Sequence, residues 1–336
     1  MVIPVVADPI ETAHRLVADG QIAQAVETLR SAGARGDSSA LAELATWHLA
    51  ATVIPRDLVA ARAALRRAVQ IGHVDAALME VALTANGSGA PADWVGAMAL
   101  LDQAAANDPL AAEQLALIGA MNLDDSGDPR ALPAAEPLND TPRVMRFSGF
   151  CTAEECLHIA SIAAPMLQPA MIFDPASGQM VMHPIRMSDN AAIGPMLETL
   201  PVQAINRRIA AATETDTIQG EPLTVLRYNP GQQYRAHLDT LPHESNQRLR
   251  TAILYLNDAY QGGGTEFPLL GVTIQPRAGD LLVFDNIDER GAPEPRSRHA
   301  GLAVTRGTKW IATRWIRVQP ITAWELSAQA RASARA

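Results

Sequence analysis

A chain of 336 residues with 48% hydrophobic side chains is long enough for two domains, each with a sizeable core. Its net charge of −9 is uneven: residues 1–130 carry 16 acidic and 8 basic side chains, a net of −8, and residues 131–336 carry 20 and 19, a net of −1. This argues against nucleic acid as a partner of the first half, and with no apolar run of about 18 residues there is no candidate membrane-spanning helix. The opening MVIPVVADPIETAHRL lacks a basic start and a long apolar core, so no signal peptide is expected. The two cysteines, Cys151 and Cys156, are expected unbridged, with Cys156 as a small core residue; a cytoplasmic location fits. Of the 27 basic residues 26 are arginine, and Lys309 is the only lysine.

Residues 20–118 repeat at about 36 residues. Ala32, Ala68 and Ala104 are in register, as are Gly36 with Gly72 and Ala40 with Ala76. Asp57 and Asp93 stand where helices should start and suit N-caps. Small residues at helical spacing allow close helix packing. The pattern resembles the tetratricopeptide superfamily in an alanine- and glycine-rich variety, which implies an α-solenoid of about three helical hairpins over residues 10–118. Such a solenoid either binds a protein or peptide or merely caps the second domain. His48 and His73 are expected in packing or surface roles. Residues 119–142, rich in proline and acids, read as a linker.

Two helix-like stretches, 152–165 and 197–213, come next. Short β runs follow at 222–228, 233–239, 251–258, 271–276, 280–286 and 309–318, split by Gly and Pro turns, as in a sandwich or barrel. Within YRAHLDT, strand parity puts His237 and Asp239 on one face. An imidazole beside a carboxylate is two thirds of a metal site or simply a polar strand face. His299 lies 60 residues after Asp239, Lys309 ten after His299, and Trp315 shares Lys309's face by even offset. A lysine there could hold the far carboxylate of a bidentate 2-oxo acid. Parity turns Arg235 and Arg314 away from the metal face, toward surface salt bridges. His158, His183 and His243 are expected to pack or face solvent, and the polar loop 286–298 could form a lip over the site.

YNPGQQYRAHLDT, RLRTAILYLNDAYQGGGTEFP, VTIQPRAGDLLVFDN and RHAGLAVTRGTKWIATRWIR together resemble the catalytic domain of prolyl 4-hydroxylases, from about residue 143 to 318. The resemblance implies an α+β multidomain chain whose second domain, 143–320, is a double-stranded β-helix (jelly roll) with flanking helices, followed by a tail, 321–336. It implies iron(II) held by His237, Asp239 and His299, with 2-oxoglutarate and O₂ as cosubstrates and ascorbate as a possible reductant. Lys309 would pair with the distal carboxylate of 2-oxoglutarate, Tyr228, Thr265 and Trp315 would line its pocket, and Tyr234 and Arg248 would stand on the substrate side. The implied reaction couples decarboxylation to succinate and CO₂ with hydroxylation of a peptidyl residue, proline first. A free amino acid or small molecule is the alternative substrate, and a repeat-mediated binding module with a vestigial oxygenase domain is the alternative of another class. The family often has GGET where this chain has GGGT, so Gly264 replaces a glutamate. The target and the oligomeric state are not legible.

Overall fold

The computed structural model describes residues 8–174, 179–182 and 185–324. His183, residues 1–7 and residues 325–336 of the expected tail lie outside the described residues. The chain divides into two compact units, one of Met1–Met121 with Glu198–Gln203, the other of Asn122–Leu197 with Ala204–Ala336.

In the first unit, helix α1 (Pro9–Ala18) precedes three helix pairs: α2 (Ile22–Ala34) with α3 (Ser38–Ala50), α4 (Leu58–Gln70) with α5 (Val74–Ala85), and α6 (Trp94–Ala105) with α7 (Pro109–Ala120). Besides Asp8 at α1, aspartates start four of the paired helices. Asp37, Asp57, Asp93 and Asp108 each accept a backbone N–H of the first turn, at 3.0, 2.9, 2.8 and 2.9 Å. His73 caps α5 through Nδ1, which accepts from the Ala76 N–H at 3.2 Å. The in-register Gly36 and Gly72 turn the chain between paired helices at φ +97° and +91°, a region open to glycine. Ala13, Ala25, Ala32 and Ala40 let the first helices close on Leu29, Leu44 and Trp47.

The second unit is built on strands. β1 (Ala135–Asn139), β2 (Val144–Phe147), β3 (Gln168–Pro169), β4 (Met171–Asp174), β5 (Gln179–Met182) and β6 (Asp189–Ile193) come first. β7 (Leu223–Tyr228), β8 (Tyr234–His237), β9 (Arg248–Tyr255), β10 (Tyr260–Gly262), β11 (Thr265–Phe267), β12 (Val272–Ile274), β13 (Leu281–Asp285), β14 (His299–Gly301), β15 (Val304–Gly307) and β16 (Lys309–Arg317) follow, with helix α8 (Ala153–Ala163) between β2 and β3 and helix α9 (Leu200–Thr213) between β6 and β7. An eight-stranded sheet, β1-β2-β13-β9-β16-β7-β6-β3, and a four-stranded sheet, β12-β11-β14-β8, form a jelly roll. Its core joins Leu226, Ile253, Tyr255, Leu282 and Phe284 of the larger sheet to Phe267 and Ile274 of the smaller. The alternate residues Val225, Ala252, Leu254 and Val283 are buried too, because both faces of the larger sheet are covered.

Two expectations fail here. Part of the expected linker, 119–142, is structural: β1 pairs antiparallel with β2 and forms an edge of the larger sheet. Its proline and charges suit an edge strand as well as a linker. Arg314 does turn away from the metal face, but it is buried rather than at a surface salt bridge. Its Nη2 donates to the Thr217 carbonyl at 2.8 Å, against Gly220, where a side chain would collide with it. Parity predicts a direction and cannot tell whether that face is covered.

Candidate active site

His237 ends β8 and His299 begins β14, and the two are direct register partners. Their rings lie 4.4 Å apart between centroids. Asp239 is not in the strand, contrary to the parity argument; it sits on the bend just after β8. The bend still brings its carboxylate to both rings: Oδ1 is 3.4 Å from His237 Nε2 and Oδ2 is 3.7 Å from His299 Nε2. One ligand atom from each residue lies within 4.8 Å of the others, and all three residues are buried.

The backbone orients both imidazoles. His237 Nδ1 lies 2.8 Å from the Arg235 carbonyl and His299 Nδ1 lies 3.1 Å from the Ser297 carbonyl. A carbonyl only accepts, so each Nδ1 carries the proton and each Nε2 presents a lone pair. Burial pushes the His299 imidazole down to about 4, against the opposing pull of Asp239, so it is neutral at neutral pH. Burial would raise the Asp239 carboxyl, but His299 and His237 outweigh it and hold it well below the usual range. Two lone-pair nitrogens and one ionised carboxylate, shielded from water, suit a divalent first-row metal such as ferrous iron. Tyr234 stacks on His237 at 3.5 Å and 14°, while Phe284 meets His299 edge-on at 4.6 Å.

Lys309 opens β16 opposite Tyr228 of β7. Its Nζ donates to the Gly263 carbonyl at 2.6 Å and lies 5.7, 5.5 and 6.0 Å from the ring centroids of Tyr228, Tyr255 and Tyr260. Burial lowers its pKa to about 8. Gly263 is a glycine for two reasons: its φ is +64°, and a Cβ would stand 3.1 Å from Lys309 Cδ.

One pocket takes its walls from His237, Asp239, His299 and Lys309, together with Tyr228, Thr265, Trp315 and Tyr234. Arg248 is not among its lining residues. Glu221 holds its guanidinium at 2.7 and 2.8 Å, its Nη1 lies 3.4 Å from the Asp239 carbonyl, and it stacks on Trp315 at 4.1 Å. Where Gly264 replaces a glutamate, the Gln275 amide fills the space: a Cβ at residue 264 would lie 2.6 Å from Gln275 Nε2. His243 is exposed and Arg235 is exposed, as parity and loop position suggest. His158 is partly buried, and burial lowers its pKa to about 4. The loop 286–298 is tied down by a bridge between Ile287 and Pro293 and by Asp288, which accepts from the Arg290 and Ala292 N–H groups at 2.9 Å each.

The sequence reading missed Tyr255 and Tyr260, which stand over Lys309, and Thr251, which bonds Asp239. Tyr255 and Thr251 were within reach, since both share Ile253's inward face of β9 by even offset.

Residues 223–317 match the 2OG-Fe(II) oxygenase superfamily. Prolyl 4-hydroxylase 1 of Arabidopsis thaliana is 33% identical over 201 residues, covering 54% of this chain and 71% of that protein. The chain belongs to the prolyl 4-hydroxylase family of 2OG-Fe(II) oxygenases. Enzymes of this family are dioxygenases that use iron(II), 2-oxoglutarate and O₂. A viral collagen prolyl hydroxylase from Paramecium Bursaria Chlorella virus-1, solved with 2OG, is 26% identical, covering 52% of this chain and 96% of that one, with a TM-score of 0.43. A Sel1 repeat protein from Oxalobacter formigenes is 27% identical, covering 32% of this chain and 85% of that one, with a TM-score of 0.29.

Proposed function

We propose that His237, Asp239 and His299 bind iron(II), that Lys309 holds the distal carboxylate of 2-oxoglutarate, and that the chain hydroxylates a peptidyl residue, with proline first. The observation that carries this is one pocket in which three buried ligand atoms within 4.8 Å stand beside a buried lysine. When bound, iron with its cosubstrate supplies the oxidising power that an unactivated C–H bond requires. The chain's own residues do the rest. Two imidazoles and a single carboxylate take one side of the metal and leave positions open on the other. Lys309, aimed by the Gly263 carbonyl, offers a point charge and two remaining N–H donors to a carboxylate. Tyr228, Thr265 and Trp315 wall the cosubstrate and exclude water, and Tyr234 faces the substrate; Arg248, outside the pocket wall, stands behind Trp315.

Proline as the target rests on the Arabidopsis relative, whose name describes prolyl 4-hydroxylation. The helical pairs of the first unit, with their acidic surplus, would recruit a protein target. The reaction would run in the cytoplasm, consistent with two buried free cysteines, with ascorbate keeping iron ferrous. The test is incubation of proline-rich peptides with iron(II), 2-oxoglutarate and ascorbate, read by mass spectrometry and by succinate release. A gain of one oxygen atom on proline supports the reading. Succinate release without any modified peptide would point to a small-molecule substrate, and no succinate at all would remove the enzyme reading.

A further inference from the structure

Thr251 sits in the middle of β9, in the run Thr251–Ala252–Ile253–Leu254, and is 0% exposed. A β-branched residue suits this strand, and valine would fill the same space. A hydroxyl buried at such a position costs stability unless it is bonded. Thr251 has two partners: its hydroxyl donates to Asp239 Oδ2 at 2.6 Å and accepts from Asn286 Nδ2 at 2.9 Å. Asn286, also 0% exposed, follows β13, which pairs with β9 so that Phe284 lies opposite Thr251. Its own backbone is anchored on both sides, with its N–H on the Leu249 carbonyl and its C=O accepting from the Glu294 N–H, each at 2.9 Å.

The chain of donors has one direction. Its end is an anion, which accepts and cannot donate, so the Thr251 proton points to Asp239 and the Asn286 amide must give its N–H to Thr251. The other end of that amide, Oδ1, is buried and meets no donor among the described residues. The amide is thus committed to Thr251 at a cost. Thr251 engages Oδ2, which also lies 3.7 Å from His299 Nε2, while Oδ1 is 3.4 Å from His237 Nε2.

We infer that Thr251 and Asn286 are positioning residues: they lock the rotation of the Asp239 carboxylate so that it presents one oxygen to the metal and keeps the other in a hydrogen bond. The inference rests on the metal reading proposed above. Without the hydroxyl, the carboxylate turns freely and either binds more weakly or offers both oxygens, which crowds a position that the cosubstrates need.

The experiment uses the full chain, stripped of metal, with cobalt(II) as the probe, so turnover is not the readout. The parent, Thr251→Val, Thr251→Ser and Asn286→Ala are titrated with cobalt(II), and the visible spectrum of each complex is recorded. Losing such an outer partner weakens metal binding by about 10–100-fold. Thr251→Val is expected in that range with an altered spectrum, Thr251→Ser close to the parent in both, and Asn286→Ala weakened less than Thr251→Val. Parental affinity and spectrum in Thr251→Val, or a serine variant as weak as the valine variant, overturns the inference. Should Thr251→Val not fold, parental affinity and spectrum in Asn286→Ala overturns it instead, and weakened binding there supports it. A parent that binds no cobalt(II) removes the metal reading itself, a result distinct from a parent and valine variant that bind equally.

Discussion

Two buried cations, one in each unit, are treated in opposite ways. In the helical unit Arg62 is 3% exposed, and every nitrogen of its guanidinium is used: Nε and Nη2 donate to Glu80, each at 2.7 Å, Nη2 also to Thr84, and Nη1 to the Leu83 and Ser88 carbonyls. Arg66 closes the set on Glu80 at 2.8 Å. In the jelly roll Lys309 is as deeply buried, yet among the described residues the hydrogen bond of its ammonium goes to a neutral carbonyl and its surroundings are tyrosine rings. A buried charge with all its bonds made ties α4 to α5 and has nothing left to offer a ligand. A buried charge left short of a counter-ion costs stability in the empty protein and is repaid when an anion arrives. Completeness of pairing, more than depth of burial, separates a structural charge from a functional one.

The sharpest way to break this contrast is at the metal ligands. His237→Ala or His299→Ala should take 2-oxoglutarate turnover to background, because two remaining ligands hold ferrous iron poorly; full turnover at ordinary iron concentrations in either variant would remove the triad. Next come the two buried cations. Glu80→Ala leaves Arg62 buried without its partner and should cost about 3–5 kcal/mol in denaturant unfolding. Lys309→Met should leave stability unchanged or raise it, since it removes a charge with no counter-ion among the described residues, while the 2-oxoglutarate requirement rises on the order of a hundredfold. Equal destabilisation in both variants would erase the distinction.

A smaller effect is expected with pH. The buried Lys309 titrates at about 8 in the cosubstrate-free protein, against 10.5 as its ordinary value. Between those values the unfolded chain holds a proton that the folded chain has lost, so stability should rise with pH across that window. Over the same window 2-oxoglutarate binding should weaken. The lysine's part of both trends should vanish in Lys309→Met, and parallel denaturant and binding curves of parent and variant from pH 7 to 10 isolate it. The smallest effect is expected from removing residues 1–121: succinate release on a short peptide should be unchanged, with affinity lost only for a full-length target. Equal affinity for that target would end the recruitment idea, and an insoluble product would make the helical unit a cap.

Much of this was legible along the chain. The 36-residue register of Gly36 with Gly72 and of Asp57 with Asp93 announced the helix pairs, because a left-handed turn and an N-cap each depend on a few adjacent residues. The even offset from Lys309 to Trp315 put both on one pocket wall, because side-chain direction alternates within a strand. The H-x-D pair was found although its strand stops at His237, since two residues so close in sequence converge through a bend as well as through a pleat.

Local rules end where a second element covers a face. That Arg314 is buried and that residues 135–139 pair as an edge strand depend on what lies against them, and nothing within those segments says so. The ring cage over Lys309 and the donor chain from Asn286 through Thr251 to Asp239 arise from sheet register, which joins residues tens of positions apart. The sequence by itself determined which chemistry the chain carries and which way its side chains point. Only the tertiary structure decided which of those side chains are paired, because pairing is a property of two strands and direction is a property of one.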